Sequence, residues 1–290
     1  MTTTPPPPTG PPPAVPTSSK KSATEQTGTA PKLGKKTPEA KPPRIILNAV
    51  EGWGKTSMGA YAPEPAILQA RGETGYEVLL GNGLVPSVDT ARIDDWLGLL
   101  ALLRSDLDGI KTIVLDALGG IERLCHEFVC DREYDGDFGE KGFTSYQKGY
   151  DVAIGEWLNL LVALDKQWDS GKAIVVLSHC KVKSFKNPLG ADFDRYISDV
   201  HEKTWAATNK WADYVFFGNF FSVVETANKS KPEALRHGKG IGATQRVVYT
   251  ERRDAFDAKN RSSMSPVLDI PNDPKQIWAT INNEITRKKG

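Results

Sequence analysis

A short segment near residue 50 combines glycines with a lysine and a hydroxyl side chain. It reads Ala49-Val50-Glu51-Gly52-Trp53-Gly54-Lys55-Thr56. Glycines let backbone N–H groups curl around an anion, lysine supplies a positive charge, and a threonine hydroxyl ligates Mg²⁺. This is the second half of the phosphate-binding P-loop pattern, with Ala49 at the position of its first glycine. We therefore expect nucleotide contacts from Glu51 through Ser57, with Lys55 on the β- and γ-phosphates and Thr56 on Mg²⁺. The alternative is a glycine-rich structural turn.

Two acidic residues follow apolar runs. Asp116 ends such a run and is the predicted second anchor of Mg²⁺, beside Thr56. The alternative is that it caps a helix. The next residue is Ala117, whereas ATPases that place their water-activating glutamate directly after this aspartate would have Glu here. Glu73, just past the run 66–69, is the predicted residue that orients the attacking water. An exposed turn carboxylate is the alternative.

A third apolar run, 173–177, ends at Ser178 and His179. We predict that this pair senses the γ-phosphate, and a histidine with a purely structural role is the alternative. The stretch 180–199 then carries a basic cluster with one aromatic residue, made of Lys181, Lys183, Phe185 and Lys186. This composition suits phosphate contacts and base stacking on a single strand. A second basic stretch covers 227–246, and either stretch can instead be an ordinary solvated loop.

These residues need a scaffold of strands and helices. Short apolar runs, which predict buried strands, alternate with segments of helical spacing at 90–107 and 154–168. Such alternation predicts an α/β fold with a mostly parallel sheet covered on both faces. Beyond residue 213, β-rich stretches at 214–226 and 246–250 predict an antiparallel extension. Asp273-Pro274 then opens a short terminal helix.

Composition sets the boundaries. The first 43 residues contain 12 of the 20 prolines, six lysines and no aromatic residue. Such a segment buries too little apolar surface to offset its ordering entropy, so 1–43 is predicted to be a disordered Pro/Thr/Lys-rich tail. The folded domain is placed at 44–270 and the C-terminal helix at 271–290.

Charge and apolar content exclude several classes of protein. The net charge of +1 gives no overall attraction to nucleic acid, so any such surface must be local. No apolar run reaches membrane-spanning length, and the N-terminus lacks the apolar stretch of a signal peptide. Three cysteines do not make a disulfide framework. We expect a cytoplasmic protein without a membrane partner.

The order of the motifs is more specific than any one of them. The set comprises Gly52–Thr56, Gly72–Gly75, Val114–Asp116, Gly149-Tyr150, Leu177–His179, Asp194–Tyr196, Trp211–Asp213, Arg246–Glu251 and Ala258–Arg261. Together these stretches resemble the phage-encoded RecA-like P-loop ATPases. They are most similar to the phage AAA-domain ATP-binding proteins that include single-strand annealing ATPases.

The resemblance implies more than the residues alone. It implies a RecA-like ATPase that uses ATP and Mg²⁺ and is stimulated by DNA. It further implies a homo-oligomer, ring or filament, on single-stranded DNA, serving phage recombination or replication in an infected bacterial cell by annealing or strand pairing. A single-strand-binding protein is a further candidate partner. Lys259 and Arg261 match a Lys-x-Arg pair that reaches the neighbouring subunit's γ-phosphate; a pair of solvated basic residues is the alternative.

Other functions stay open on the sequence. A nucleotide-dependent protein-binding switch with little turnover is favoured by Ala49 and by the missing Asp-Glu pair at 116–117. A ring-helicase-type motor has the same core. A P-loop kinase of small molecules would carry an arginine-rich lid, for which the sequence offers no convincing segment.

Overall fold

The folded unit begins at Lys41. The computed structural model describes residues 33–35, 41–188, 190–226 and 238–287, with the backbone alone for 222–226 and 238–243. Most of the predicted disordered tail, and 227–237 of the second basic stretch, therefore lie outside the described residues. The last tail residues are packed, since the Trp168 indole N–H donates to the Pro42 carbonyl at 2.6 Å.

A nine-stranded sheet forms the centre of the described chain. Its main path runs β3-β2-β4-β5-β1-β7-β8-β9, and β6 pairs with β5. Neighbours from β3 to β7 are parallel, whereas β6, β8 and β9 pair antiparallel. The strands are β1 (Arg44–Ala49), β2 (Pro65–Ala70), β3 (Asp89–Ile93), β4 (Thr112–Asp116), β5 (Ala173–Phe185), β6 (Phe193–Ser198), β7 (Tyr214–Thr226), β8 (Gly238–Tyr249) and β9 (Val267–Ile270). The predicted fold class, a RecA-like α/β core with an antiparallel extension near the C-terminus, is confirmed.

Helices cover both faces of this sheet. They are α1 (Lys55–Ala60), α2 (Gly75–Gly81), α3 (Trp96–Arg104), α4 (Leu118–Tyr134), α5 (Lys148–Asp169), α6 (Glu202–Trp211) and α7 (Ile277–Thr286). One core cluster joins the sheet to α3, α4, α5 and α6, and a second joins it to α1, α2 and α7. The apolar side of the C-terminal helix, with Ile277 and Ile281 fully buried, thus belongs to the second cluster.

The central parallel strands are buried because helices cover both faces of the sheet there. Ile45, Ile46 and Leu47 of β1 have no exposed surface. Successive residues point to opposite faces, so Ile46 joins the first cluster while Ile45 and Leu47 join the second. This explains why the strands at the centre of the sheet read as unbroken apolar runs.

Two sequence predictions are wrong in their element type. The stretch 90–107, predicted to be one helix, begins with strand β3, and the helix starts only at Trp96. The stretch 180–199, predicted to be a loop, is a β-hairpin: β5 continues past the parallel sheet to Phe185 and pairs with β6, with Lys183 opposite Arg195. Both errors concern exposed segments, namely β3 and the last part of β5, where apolar content is a weak signal.

A glycine on β7 makes room for the start of the P-loop. Gly218 pairs with Ala49, the last residue of β1. A Cβ atom on Gly218 would lie 2.8 Å from the Ala49 Cβ and 2.8 Å from the Trp53 ring. The indole is fully buried, and its N–H donates to the Val247 carbonyl at 3.1 Å. The loop is therefore fastened to β7 and β8 as well as to β1.

This packing makes a stability prediction. Gly218→Ala should lower the free energy of unfolding by about 1–3 kcal/mol, because the new methyl group overlaps two rigid neighbours. Gly155→Ala is the matched control: nothing lies within 4 Å of its Cβ position on α5, and alanine should stabilise the helix by roughly 0.5–1 kcal/mol. Denaturant unfolding of the two variants measures both changes. Equal stability of the two would contradict the described packing.

Candidate nucleotide site

The P-loop connects the end of β1 to the start of α1. Gly52 and Gly54 have left-handed φ angles of 71° and 106°, which glycine adopts at little cost. Ala49 is not among the positive-φ residues and is the last residue of β1. The backbone therefore does not need glycine at position 49, and the departure from the P-loop pattern leaves the loop geometry intact.

Lys55 directs its ammonium group back over the loop. Its Nζ donates to the carbonyls of Ala49 at 3.0 Å and Val50 at 3.3 Å. The side chain is buried, and burial lowers the pKa of Lys55, while nearby acidic groups, Asp116 among them, act in the opposite direction. A phosphate oxygen offers this desolvated ammonium a stronger partner than a neutral carbonyl does.

Thr56 and Asp116 meet across the site. The Thr56 hydroxyl donates to the Asp116 Oδ2 at 2.9 Å, and Asp116 is buried at the end of β4. Hydroxyl and carboxylate oxygens are the donors that Mg²⁺ takes from proteins, together with phosphate oxygens and water. Among the described residues, no group of three or more His, Cys, Asp or Glu side chains could hold a metal ion.

Glu73 lies on the same side of the site as Asp116. Its N–H donates to the Ala70 carbonyl at 2.9 Å, which folds the chain back after β2. One carboxylate oxygen lies 3.9 Å from the Cβ position of Gly120, in the first turn of α4. Burial raises the pKa of Asp116, and the Glu73 charge adds to that rise, so the two carboxylates are near enough to interact.

The side chains of the predicted sensor pair, Ser178 and His179, point to opposite faces of the sheet. Ala49 and His179 are paired in the sheet, and His179 lines the cleft above the P-loop. Ser178 points to the opposite face, where its hydroxyl lies 2.9 Å from the hydroxyl of Ser198 on β6. His179 therefore faces the phosphate site, while Ser178 joins β5 to the hairpin.

A further carboxylate enters the site from the end of β6. The Asp199 N–H donates to the His179 carbonyl at 3.1 Å, and its side chain packs against Gly119. Its Oδ1 is buried, and no described residue donates a hydrogen bond to it. Burial raises the pKa of Asp199, and the charge of His179 opposes this. Sequence reasoning missed Asp199 because the strand before it was interpreted as a loop.

The cleft above the P-loop has a volume of about 560 Å³ and is walled by two further segments. On one side stand the apolar residues Val78, Leu79 and Leu84, from α2 and the turn after it. On the other stand Arg246 of β8 and Pro274. Of these residues only Arg246 belongs to a motif named above, the stretch Arg246–Glu251, and only the tertiary structure brings the set to the site.

One residue of the predicted nucleotide segment has other surroundings. The Trp53 side chain lies in the core, so only its backbone faces the loop interior. Ser57 is buried in α1, whereas Glu51 is exposed at the rim of the cleft.

Lys259 and Arg261 lie at the other edge of the sheet. Lys259 forms a backbone bridge to Val215 near the start of β7, and its Nζ donates to the Asn209 carbonyl. The Arg261 guanidinium donates to Asp213 at 2.8 Å. Asp213 adjoins Arg44 at the start of β1, so the Arg261 contact is about 16 Å from the end of β1 at ~3.3 Å per residue, whereas Lys259 is level with Ile46 in the middle of the strand. Neither side chain is part of its own chain's P-loop site.

The basic cluster forms one wall of a groove of about 640 Å³. Lys181, Lys183 and Phe185 alternate along β5 and so share one face of the hairpin. The groove runs from this face to α6 and is lined by Lys181, Lys183, Phe185, Lys186, Arg195, His201 and Trp205, among others.

The lysines of the groove have no carboxylate partner within the described part of the chain. Arg195, by contrast, pairs with Asp257, and Lys181 donates only to the Asp199 carbonyl at 3.1 Å. Phe185 contacts Phe193 at a ring distance of 5.3 Å and is 39% exposed. The groove thus offers lysines without a direct ion pair beside a partly exposed aromatic ring, with Glu202 as a carboxylate in the same lining.

Loop geometry, Lys55 and the Thr56–Asp116 pair on a RecA-like sheet define a P-loop nucleotide-binding protein. A family model described as an AAA domain matches residues 41–262. The chain belongs to this AAA domain family, which makes it a nucleotide-binding protein of the ATPase type.

Comparison with curated protein sequences found no significant match. Among solved structures, the flagellar accessory protein FlaH from Methanocaldococcus jannaschii is similar, with a TM-score of 0.41 and 12% identity over 79% of this chain and 85% of that chain. Within the described ranges, no helix is both long and apolar enough to cross a membrane.

The Mg²⁺ anchor can be tested at Asp116. Asp116→Asn should abolish the gain in ATP affinity that Mg²⁺ gives the wild type, a loss of about ten-fold or more, because the amide carries no charge for the metal. Titrations of ATP in Mg²⁺ and in EDTA measure this gain. The control Asp106→Asn removes an exposed carboxylate elsewhere and should keep the gain. A full Mg²⁺ effect in Asp116→Asn would rule out this anchor.

The same variant has a pH signature. Because burial raises the pKa of Asp116, its ionised form opposes folding above that raised pKa. Without nucleotide, Asp116→Asn should therefore be at least as stable as the wild type at pH 7. The difference should shrink as the pH falls through the raised pKa and disappear below the unfolded carboxyl pKa of about 3.9, where the carboxyl is protonated in both the folded and the unfolded state. Thermal unfolding at several pH values tests this.

Proposed function

We propose that the protein is a Mg²⁺-dependent ATPase that binds single-stranded DNA and acts as a homo-oligomer in phage recombination or replication. One observation carries the ATPase part: Lys55, Thr56, Asp116 and Glu73 converge at the carboxyl edge of one sheet. Bound Mg²⁺ would neutralise charge that develops on the transferred phosphoryl group. Lys55 would stabilise the γ-phosphate, and Glu73 would orient the attacking water.

Glu73 is the favoured water-orienting residue because Ala117 cannot accept a proton. Its carboxylate lies against the first turn of α4, and its charge acts on the buried Asp116. Asp199 is a second carboxylate at the site, but it lies beside His179 and packs on Gly119. Its place supports a role in linking His179 to the hairpin.

The groove supports single-stranded DNA as the polymeric partner. Unpaired lysines track a phosphate backbone, and a partly exposed phenylalanine offers a face for base stacking. The hairpin is a continuation of β5, one residue beyond His179. A nucleotide-dependent change at His179 would therefore reach Lys181 and Lys183 through a single strand.

Steady-state ATP hydrolysis, with and without single-stranded DNA, tests this function. DNA should stimulate turnover, and Lys55→Ala should abolish turnover in both conditions, because the γ-phosphate loses its cation. Turnover that ignores DNA would refute the DNA-dependent part. It would favour the nucleotide-dependent protein-binding switch, for which Ala117 is the supporting observation. Processive duplex unwinding would instead indicate a ring-helicase-type motor.

DNA contact by the hairpin has its own signature. In Lys183→Ala, affinity for a single strand should fall several-fold, and the slope of log affinity against log salt should become less steep by about 0.7, the value for one phosphate contact. Fluorescence anisotropy over a salt series measures both. Lys111→Ala, an exposed lysine at the start of β4, is the matched control and should change neither. An unchanged slope in Lys183→Ala would exclude a phosphate contact.

A role for Arg261 in the neighbouring subunit can be tested by mixing variants. Lys55→Ala and Arg261→Ala should each be inactive alone. If Arg261 acts across an interface, a site is intact when a subunit that retains Lys55 lies next to a subunit that retains Arg261. In an equimolar mixture this holds at about a quarter of the sites, so about a quarter of the activity should return. A mixture that stays inactive while forming mixed oligomers, or full activity of Arg261→Ala alone, would rule this role out.

A further inference from the structure

Arg246 approaches the P-loop from the side away from β4. It lies on β8, whose antiparallel pairing with β7 sets Arg246 opposite Phe220, just beyond the pair of Gly218 and Val248. Gly218 in turn pairs with the last residue of β1. The Arg246 Nε is consequently 3.8 Å from the Cβ position of Gly54, and the side chain lines the cleft.

The Arg246 guanidinium group lacks the carboxylate partner that a buried guanidinium group normally has. Its Nε is buried, and no described residue accepts a hydrogen bond from it. None of the described carboxylates forms an ion pair with Arg246. By comparison, Arg44, Arg195 and Arg261 each pair with an aspartate. A half-buried guanidinium without an anion is costly, so its position beside an anion-binding loop calls for an explanation.

The orientation of Arg246 is fixed from behind. Its NH1 donates to the Asn272 carbonyl at 2.9 Å, in the segment that leads to Pro274 and α7. The neighbouring Gln245 donates to the Ile270 carbonyl at 3.0 Å, which ties β8 to β9. The same C-terminal segment reaches the P-loop, since the Ile277 Cδ1 lies 3.3 Å from the Cβ position of Gly54. Arg246 is thus presented to the cleft by a packed support.

We propose that Arg246 is a second cation of the nucleotide site and binds the phosphate chain from the side opposite Asp116. A guanidinium group forms paired hydrogen bonds to phosphate oxygens, which satisfies the buried Nε. The proposal rests on nucleotide binding at the P-loop, as proposed above. Arg246 lies near Gly54, whereas Thr56 and Asp116 serve the metal. Its contact should therefore be shared by ATP and ADP and should not require Mg²⁺.

The test compares nucleotide affinities of Arg246→Gln with those of the wild type. Affinities for ATP and ADP, measured by calorimetry in Mg²⁺ and in EDTA, should fall by a similar factor of about ten in both media. Lys275→Gln is the charge control: it removes an exposed cation from the neighbouring segment and should change affinity less than two-fold. Arg246→Lys keeps the charge without Nε and should lose part of the affinity.

Two results would overturn the proposal. One is wild-type affinity in Arg246→Gln; another is a loss no larger than that in Lys275→Gln. If wild-type affinity is accompanied by a lowered unfolding temperature of the nucleotide-free variant, Arg246 only stabilises the contact between β8 and Asn272. If Arg246→Gln does not fold, Arg246→Lys decides by the same criteria. The wild-type titration separates the two proposals: if the wild type itself binds no nucleotide, the proposed function fails, whereas nucleotide binding that is unchanged in Arg246→Gln refutes only the role of Arg246.

Discussion

The buried ammonium of Lys55 is the constraint on which the site depends. A desolvated cation needs acceptors in fixed positions, and here they are the carbonyls of Ala49 and Val50. Those carbonyls are in place because β1 lies between β5 and β7 and has no freedom to shift. The left-handed Gly52 and Gly54 then turn the chain so that α1 starts directly at Lys55. Core packing and phosphate chemistry thus rely on the same few backbone positions.

The central strands and the residues at their ends were predictable from sequence. Buried parallel strands are unbroken apolar runs, and parallel strands bring their carboxyl ends to one edge, so Lys55, Asp116 and His179 meet as expected. Strand β3 was missed because its residues are mostly exposed and adjoin a strongly periodic helix. Strand β6 was missed because its pairing with the extension of β5 is a tertiary contact that leaves no apolar run.

The unpredicted site residues share a physical reason. Asp199 reaches the site only because the hairpin returns β6 to the level of His179, and Arg246 only because β8 folds back along β7. When a strand folds back antiparallel to its neighbour, the register of the pairing sets the position of each residue. That register depends on pairing partners far away in sequence. Trp53 is the opposite case. Its position in the motif predicts a nucleotide contact, but its indole packs in the core, in the space over Gly218.

The two halves of the cleft are built by different means. The phosphate half consists of backbone N–H groups, one lysine and a hydroxyl–carboxylate pair, all within the residues that match the AAA domain family. The remaining walls include the apolar residues of α2 and Pro274, and Pro274 lies beyond the matched range of 41–262. Apolar walls bind a ligand through shape and buried area, with little dependence on exact atom positions. The C-terminal segment therefore contributes to both halves, because it supplies Pro274 to the wall and also holds Arg246 through the Asn272 carbonyl.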